Sequence, residues 1–203
     1  LAFPLDDQQQ PLIAKQDVYA FLPVCSSGLP FLIQADFLLV ASRQGIDESQ
    51  PWNRRLQDHI IYALIQAFQR LNDSHLKYRW PAYLPEAQVA HKFFDKMKDK
   101  FLDRMKDVKI LESRSGEFAK PKVMMLVPDQ YKDEDGTPLL TPTNDRYLST
   151  KYDPNHVSSL VTQALDGKKF FEILKNYVMK QSEEFRSRPD AWHGRVSTVL
   201  MVE

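Results

Sequence analysis

The chain has 203 residues, with 27 basic and 27 acidic side chains, 43% hydrophobic residues and a single cysteine. This is the composition of a folded globular protein, and its zero net charge argues against a dedicated nucleic-acid binder. One cysteine excludes an internal disulfide framework and a cysteine-rich zinc site. No apolar run approaches the roughly 18 residues of a membrane span, so we expect no membrane partner and an intracellular, cytoplasmic or nuclear location.

Both ends of the chain are apolar, since it begins with LAFPL and ends with VLMVE. Termini are usually polar and frayed. We therefore expect a piece of a longer polypeptide, truncated at its C-terminal end.

The first third of the sequence predicts a small sheet. Residues 1–5 and 18–24 are predicted strands, and the apolar run 31–41 is predicted to be a strand buried on both faces with a bend at Asp36. Three strands with short connections favour an antiparallel or mixed sheet.

Two long amphipathic helices are predicted next. The first has Ser49 as its cap, Pro51 in its first turn, and an apolar stripe at steps of four: Trp52, Leu56, Ile60, Leu64 and Phe68. The second begins at Glu86 and has a similar stripe: Val89, Phe93, Met97, Phe101 and Met105. Its outer face mixes acids and bases, such as Asp95 with Lys98, which indicates a solvated surface.

The rest of the sequence predicts a hairpin over 109–127 and helices from Asp153, over 168–185 and from Pro189. We expect an α+β fold with two parts: an α+β subdomain over 1–79 and a helix-hairpin-helical subdomain over 80–203. The prolines within 79–86 mark the seam between them.

Motifs for catalysis are absent from the sequence. The five histidines lie in separate predicted elements, so no metal site is predicted, and there is no Walker A loop, dinucleotide fingerprint or G-x-S-x-G elbow. Cys25 has no base nearby in the sequence, which leaves a self-contained cysteine hydrolase as a minor alternative. We expect no catalysis by the chain in isolation.

One cation has a setting that suits anion recognition. Arg43 is predicted at the end of the core strand, and an arginine offers a permanent charge and a planar fork of donors to phosphate oxygens. The structural alternative is that Arg43 caps the sheet through an ion pair with Asp36 or Asp47.

The segment 19–53 resembles the region after the nucleotide-binding domain in the sacsin and NO VEIN group of proteins. The residues that carry the resemblance are Tyr19-Ala-Phe21-Leu22-Pro23, Gly28-Leu29-Pro30, Ser42-Arg43 and Pro51-Trp52-Asn53. Proteins of this group are large chains with a histidine-kinase-like, heat-shock-chaperone-type (GHKL) ATPase domain.

The resemblance implies a transducer or middle domain of ribosomal-S5-like fold. Ser42-Arg43-Gln44 would correspond to the Ser-Arg-Glu sequence of related heat-shock chaperones, with Arg43 as the catalytic, ATP-sensing residue and Ser42, Arg43 and Gln44 at the nucleotide. It implies ATP with Mg for the parent protein, no cofactor in this segment alone, and an upstream ATPase domain of the same chain as the partner.

The alternative function is a non-catalytic structural or protein-interaction module. In that case the aromatic-rich helices 86–105 and 168–185 would present a partner surface. Exposed aromatic side chains would favour this interpretation, whereas burial of Phe93, Phe94, Phe170 and Phe171 would count against it.

Overall fold

A computed structural model describes residues 1–85, 89, 91–142 and 146–202, and it has the predicted α+β class. Contacts within the chain divide it into two compact units, 1–110 with 151–160, and 111–150 with 161–203. The 1–79 and 80–203 subdomains expected from the sequence have other bounds and stay a prediction.

In chain order the strands are β1 (Asp17–Ala20), β2 (Leu22–Ser26), β3 (Ile33–Gln34), β4 (Leu111–Glu112), β5 (Phe118–Ala119), β6 (Met125–Leu126) and β7 (Gln163–Ala164). The α-helices are α1 (Pro51–Leu71), α2 (Lys92–Met105), α3 (Pro154–Val157), α4 (Gly167–Lys180), α5 (Ser182–Ser187) and α6 (Asp190–Val202).

The first unit contains a mixed three-stranded sheet in the order β2-β1-β3, with β1 antiparallel to β2 and parallel to β3. A single strand over 18–24 was the wrong prediction, because the chain reverses at Phe21 and pairs with itself. Phe21 has a left-handed backbone (φ +64°) and forms the tip of the β1–β2 hairpin. Neither glycine nor asparagine marks this reversal in the sequence.

The predicted buried strand over 31–41 is also wrong, since only Ile33 and Gln34 pair with β1. The chain turns sharply where the Phe37 amide donates to the Ala35 carbonyl at 2.8 Å. Beyond that turn Phe37 is buried, whereas Leu38 is 46% exposed. Residues 1–5, predicted as a strand, form only isolated bridges.

Helix α1 follows the prediction in its centre and departs from it at its start. Pro51 is in the first turn, but the N-cap is Gln50 without a side-chain bond, so Ser49 is not the cap. The predicted stripe holds for Ile60, Leu64 and Phe68, which are buried. Trp52 is 49% exposed, whereas the side chains of Asn53 and Gln57 are buried.

Helix α2 begins at Lys92, where the His91 ring accepts a hydrogen bond from the Phe93 amide at 3.3 Å. The predicted start at Glu86 lies outside the described residues. The predicted apolar stripe is buried, and Lys98 and Asp95 form the expected pair at 2.9 Å. Lys98 itself is buried, however, so the prediction that it lies on a solvated face is wrong.

In the second unit β4 and β5 form an antiparallel hairpin whose turn ends at Gly116 with φ +88°. The predicted hairpin is therefore confirmed only over its first part. β6 does not extend it but pairs in parallel with β7, some 40 residues later in the chain. That pairing has no local signal in the sequence.

The helices of the second unit pack on a buried cluster that includes Tyr131, Tyr147, Leu165, Phe170 and Leu174. Helix α3, in the first unit, begins at the predicted cap, where the Asp153 carboxylate accepts from the Asn155 amide at 2.9 Å. The predicted helix over 168–185 is two helices, because Gln181 interrupts it. Within the described residues, no helix is both long and apolar enough to cross a bilayer.

Adjacent phenylalanines on α4 allow a matched test of this core. Phe170 is fully buried and Phe171 is 56% exposed. We expect Phe170→Ala to lower the free energy of unfolding by about 3–5 kcal/mol, since it removes a buried ring and leaves a cavity. Phe171→Ala is expected to stay within about 0.5 kcal/mol of the parent. Urea unfolding followed by circular dichroism measures both, and equal effects would contradict the assignment of the faces.

Candidate functional site

Arg43 lies at the tip of a loop over residues 38–47, which we call the arginine loop. Leu39 and Ile46 form an antiparallel bridge, and the Val40 amide donates to the Gly45 carbonyl at 3.0 Å. Arg43 itself donates its amide to the Val40 carbonyl at 2.8 Å. Arg43 therefore projects from a closed turn. The prediction that it lies at the end of a core strand is wrong.

The backbone of Arg43 is in the left-handed region, with φ +58°. A residue with a Cβ pays roughly 1–2 kcal/mol for this conformation, which glycine adopts freely. Ser42 and Gln44 on either side are exposed, and the Ser42 hydroxyl accepts from the Gln44 amide at 3.4 Å. The three residues singled out by the resemblance therefore share one exposed tip.

Within the part of the chain that the structure describes, the Arg43 guanidinium forms no hydrogen bond or ion pair. The capping pair with Asp36 or Asp47 is not formed. The Asp47 carboxylate instead accepts from the Ser49 hydroxyl at 2.6 Å, from the side-chain amide of Gln50 at 2.9 Å and from the backbone amide of Ser49 at 3.0 Å. These hydrogen bonds hold the pKa of Asp47 below its usual range.

Asn53 anchors both ends of the arginine loop. Its fully buried side chain accepts from the Leu38 amide at 3.0 Å and donates to the Leu38 and Asp47 carbonyls at 2.7 and 2.8 Å. The first turn of α1 therefore fixes both ends of the loop that carries Arg43. Helical periodicity gave no sign of this role, since a polar residue occupies a buried position, although Asn53 belongs to the motif that carries the resemblance.

The neighbouring Trp52 secures the chain before the loop. Its indole nitrogen donates to the Asp36 carbonyl at 2.7 Å, although its ring is 49% exposed. The Pro-Trp-Asn sequence at the start of α1 thus supplies two side chains that bind the backbone of residues 36–47.

A groove of about 550 Å³ lies between the arginine loop and the tip of the β1–β2 hairpin, and we call it the tip groove. Arg43 lines it, together with residues 20–24 and 36–39. Phe21 and Leu22 at the hairpin tip are 84% and 72% exposed. Of the three non-glycine residues with positive φ in the described ranges, two line this groove, Phe21 and Arg43.

Other candidate chemistry is weaker. Cys25 is half-buried, and burial, followed by the charge of Asp17, raises the pKa of its thiol. A raised pKa keeps the sulfur protonated, which is the opposite of what an activated nucleophile needs. Among the described residues, no group of three or more His, Cys, Asp or Glu side chains could hold a metal ion.

Comparison with known proteins finds a partial relative. The chain is 43% identical over 51 residues to Protein NO VEIN of Arabidopsis thaliana. This chain is similar to a short part of NO VEIN. The match covers 25% of the chain and 2% of the Arabidopsis protein. No family model and no solved structure matches the chain.

The anchoring role of Asn53 is testable by substitution. We expect Asn53→Ala to lower the free energy of unfolding by about 1–3 kcal/mol, because it leaves backbone groups of the arginine loop without their partner. Exchange of the Leu38 and Asp47 amides with solvent deuterium should accelerate, as measured by NMR.

Arg55→Ala provides the control, because Arg55 is an exposed residue of the same helix. It should leave stability and amide exchange unchanged. Unaltered exchange at Leu38 in Asn53→Ala would show that the loop holds its shape without the amide.

Proposed function

We propose that this chain is part of a large chaperone-like ATPase of the GHKL superfamily, in which it couples ATP binding and hydrolysis in an upstream domain to conformational change. The observation that carries the proposal is Arg43, an exposed arginine on an anchored loop, whose guanidinium has no partner among the residues that the structure describes. The similarity to part of NO VEIN and the sacsin-like motif in residues 19–53 support it. Under this proposal the parent protein is intracellular.

The chemistry of Arg43 suits contact with a phosphoryl group. During phosphoryl transfer, negative charge on the equatorial and leaving oxygens is stabilised by a fixed cation. A guanidinium remains charged at any physiological pH and offers several donors in one plane. Because Arg43 has no partner to release within the described residues, it needs no rearrangement of ion pairs before it binds an anion.

The described residues are better suited to supply one residue to a nucleotide site on another domain than to form a complete nucleotide site. Arg43 is the one cationic residue among the described residues that line the tip groove. The Ser42 hydroxyl already accepts a hydrogen bond from the backbone amide of Gln44. The described ranges also hold no metal-binding cluster. We propose that ATP and Mg are held by the upstream domain. Arg43 would reach that site from this chain, with the side-chain amide of Gln44 as a further donor.

The hairpin tip supplies an apolar contact for the same docking. Phe21 and Leu22 expose two large side chains beside Arg43, at a backbone reversal that costs free energy to hold. Strained residues persist where surrounding structure or function holds them. We propose that the tip groove faces the upstream ATPase domain.

The parent protein with both domains tests the role of Arg43. We expect Arg43→Ala to lower the rate of ATP hydrolysis by about 100-fold or more, because a charge-stabilising donor is lost in the transition state. The affinity for nucleotide should change by less than about fivefold, the worth of one exposed ionic contact. Steady-state turnover and a fluorescent-nucleotide titration separate the two effects.

Two controls accompany this substitution. Arg43→Gly removes the guanidinium but relieves the positive-φ strain, so it should lose hydrolysis without losing stability. Arg55→Ala removes an exposed arginine elsewhere and should leave turnover unchanged. Normal turnover in Arg43→Ala would refute the proposed mechanism.

The second candidate is a non-catalytic interaction module, which the exposed hairpin tip favours. It would not use the surfaces expected from sequence, because Phe93, Phe94 and Phe170 are buried and Phe171 alone of the four is exposed. The candidates differ in their response to Arg43→Ala, which would leave turnover unaffected if the chain were only an interaction module.

Phe21→Ser tests the tip in both cases. Loss of a large exposed anchor should weaken binding of the separately produced upstream domain to this chain about tenfold or more in calorimetry. Ile13→Ser, at another exposed apolar residue, is the matched control. Binding that survives Phe21→Ser would place the contact elsewhere.

A further inference from the structure

A second groove, of about 510 Å³, lies entirely in the second unit, and we call it the α4 groove. Helix α4 lines it with residues at spacings of three and four: Lys169, Glu172, Ile173, Asn176, Tyr177 and Lys180. Such spacings place side chains on one face of a helix. The buried Phe170 and Leu174 belong to the core of the unit, and Ile173 and Tyr177, at the border of the groove face, also pack against that core.

The charges along the α4 groove are mainly positive. Among the described residues, Lys169, Lys180 and Arg146 line it, and Glu172 is the one lining carboxylate. Within the described residues none of the three cations forms an ion pair, and Lys169 makes only a long contact, 3.5 Å, from its ammonium to the Ala164 carbonyl. The groove therefore attracts negative charge.

The floor between the cations is apolar. Ile173 is partly buried on α4, and Met125 of β6 lines the groove from the facing wall. A ligand that fills the groove would bury an apolar group here, with its charges near the ends. Burial of an apolar side chain adds favourable free energy that a simple inorganic anion cannot supply.

The spacing of the cations sets the length of the ligand. Lys169 and Lys180 are eleven residues apart on α4, which is about 16 Å along the helix axis. A single phosphate cannot bridge two ammonium groups set this far apart as well as an elongated ligand can. An extended peptide advances about 3.3 Å per residue, and every second side chain faces the same way. Side chains four residues apart therefore share one face and span about 13 Å, and the flexible lysine and glutamate side chains cover the remainder.

We propose that the α4 groove binds an extended acidic peptide segment, with two carboxylate side chains four residues apart and an apolar side chain midway between them on the same face. The carboxylates would pair with Lys169 and Lys180, and the apolar side chain would rest on Ile173 and Met125. Arg146 on the facing wall adds a third cation, and Glu172 disfavours an additional acid in the middle of the segment.

The test uses the whole 203-residue chain and a fluorescein-labelled peptide with two glutamates four residues apart and a leucine midway between them. Anisotropy titration should show saturable binding that weakens as salt is raised. Lys169→Ala and Lys180→Ala should each weaken it about threefold to fivefold, as expected for loss of one solvent-exposed ion pair. Glu172→Gln should strengthen it about twofold to threefold by removing a like charge.

Lys175→Ala is the matched control, since Lys175 is an exposed residue of α4 outside the groove. It should leave the affinity within about 1.5-fold of the parent, because Lys175 does not line the groove and salt screens its exposed charge. A peptide with adjacent glutamates should bind more weakly than the spaced one.

Several results would overturn the proposal. These are absence of saturable binding, equal losses in Lys175→Ala and Lys180→Ala, and equal affinity for the two peptide spacings. Competition by millimolar inorganic phosphate at constant ionic strength would assign the groove to small anions. Binding to phosphatidylserine vesicles that Lys180→Ala abolishes, without peptide binding, would assign it to a lipid surface.

Discussion

The arginine loop depends on the buried side chain of Asn53. A carboxamide offers two donors and an acceptor on one short side chain, and here it bonds to Leu38 and Asp47 at the two ends of one loop. A hydroxyl has too few donors for this pattern, and a carboxylate has none. The geometry of the exposed tip is therefore set from inside the protein, by a residue that has no contact with solvent.

Backbone strain and exposure coincide at the tip groove. Phe21 and Arg43 both have left-handed backbones, and both line this one groove. An exposed phenylalanine gains nothing from burial within this chain, and an unpaired arginine gains no ion pair within the described residues. Contacts with a further surface would offset the unfavourable backbone conformations of these two residues. The proposed docking of an upstream domain therefore accounts for both the strain and the exposure.

The sequence allowed prediction of the α+β class and of the buried stripes on α1 and α2, because hydrophobic side chains at steps of four report directly on a packed helical face. It failed at Phe21, where an apolar run conceals a chain reversal that glycine or asparagine usually marks. It also missed the parallel pairing of β6 with β7, because that contact joins segments far apart in the chain. Arg43 could be proposed as a site residue from the sequence. The anchoring role of Asn53 could not, because helical periodicity predicts apolar side chains at buried positions.

The path of the chain between its two compact units has a consequence for how they can be separated. Residues 151–160 return to the first unit after the chain has already entered the second. There Tyr152 packs against Tyr78, with ring centroids 5.2 Å apart, and Val157 and Leu160 are fully buried. A cut after Ile110 would thus remove part of the first unit's own interior. The first unit therefore cannot be exchanged between proteins as one continuous segment, and recombination at this point would leave it without residues 151–160.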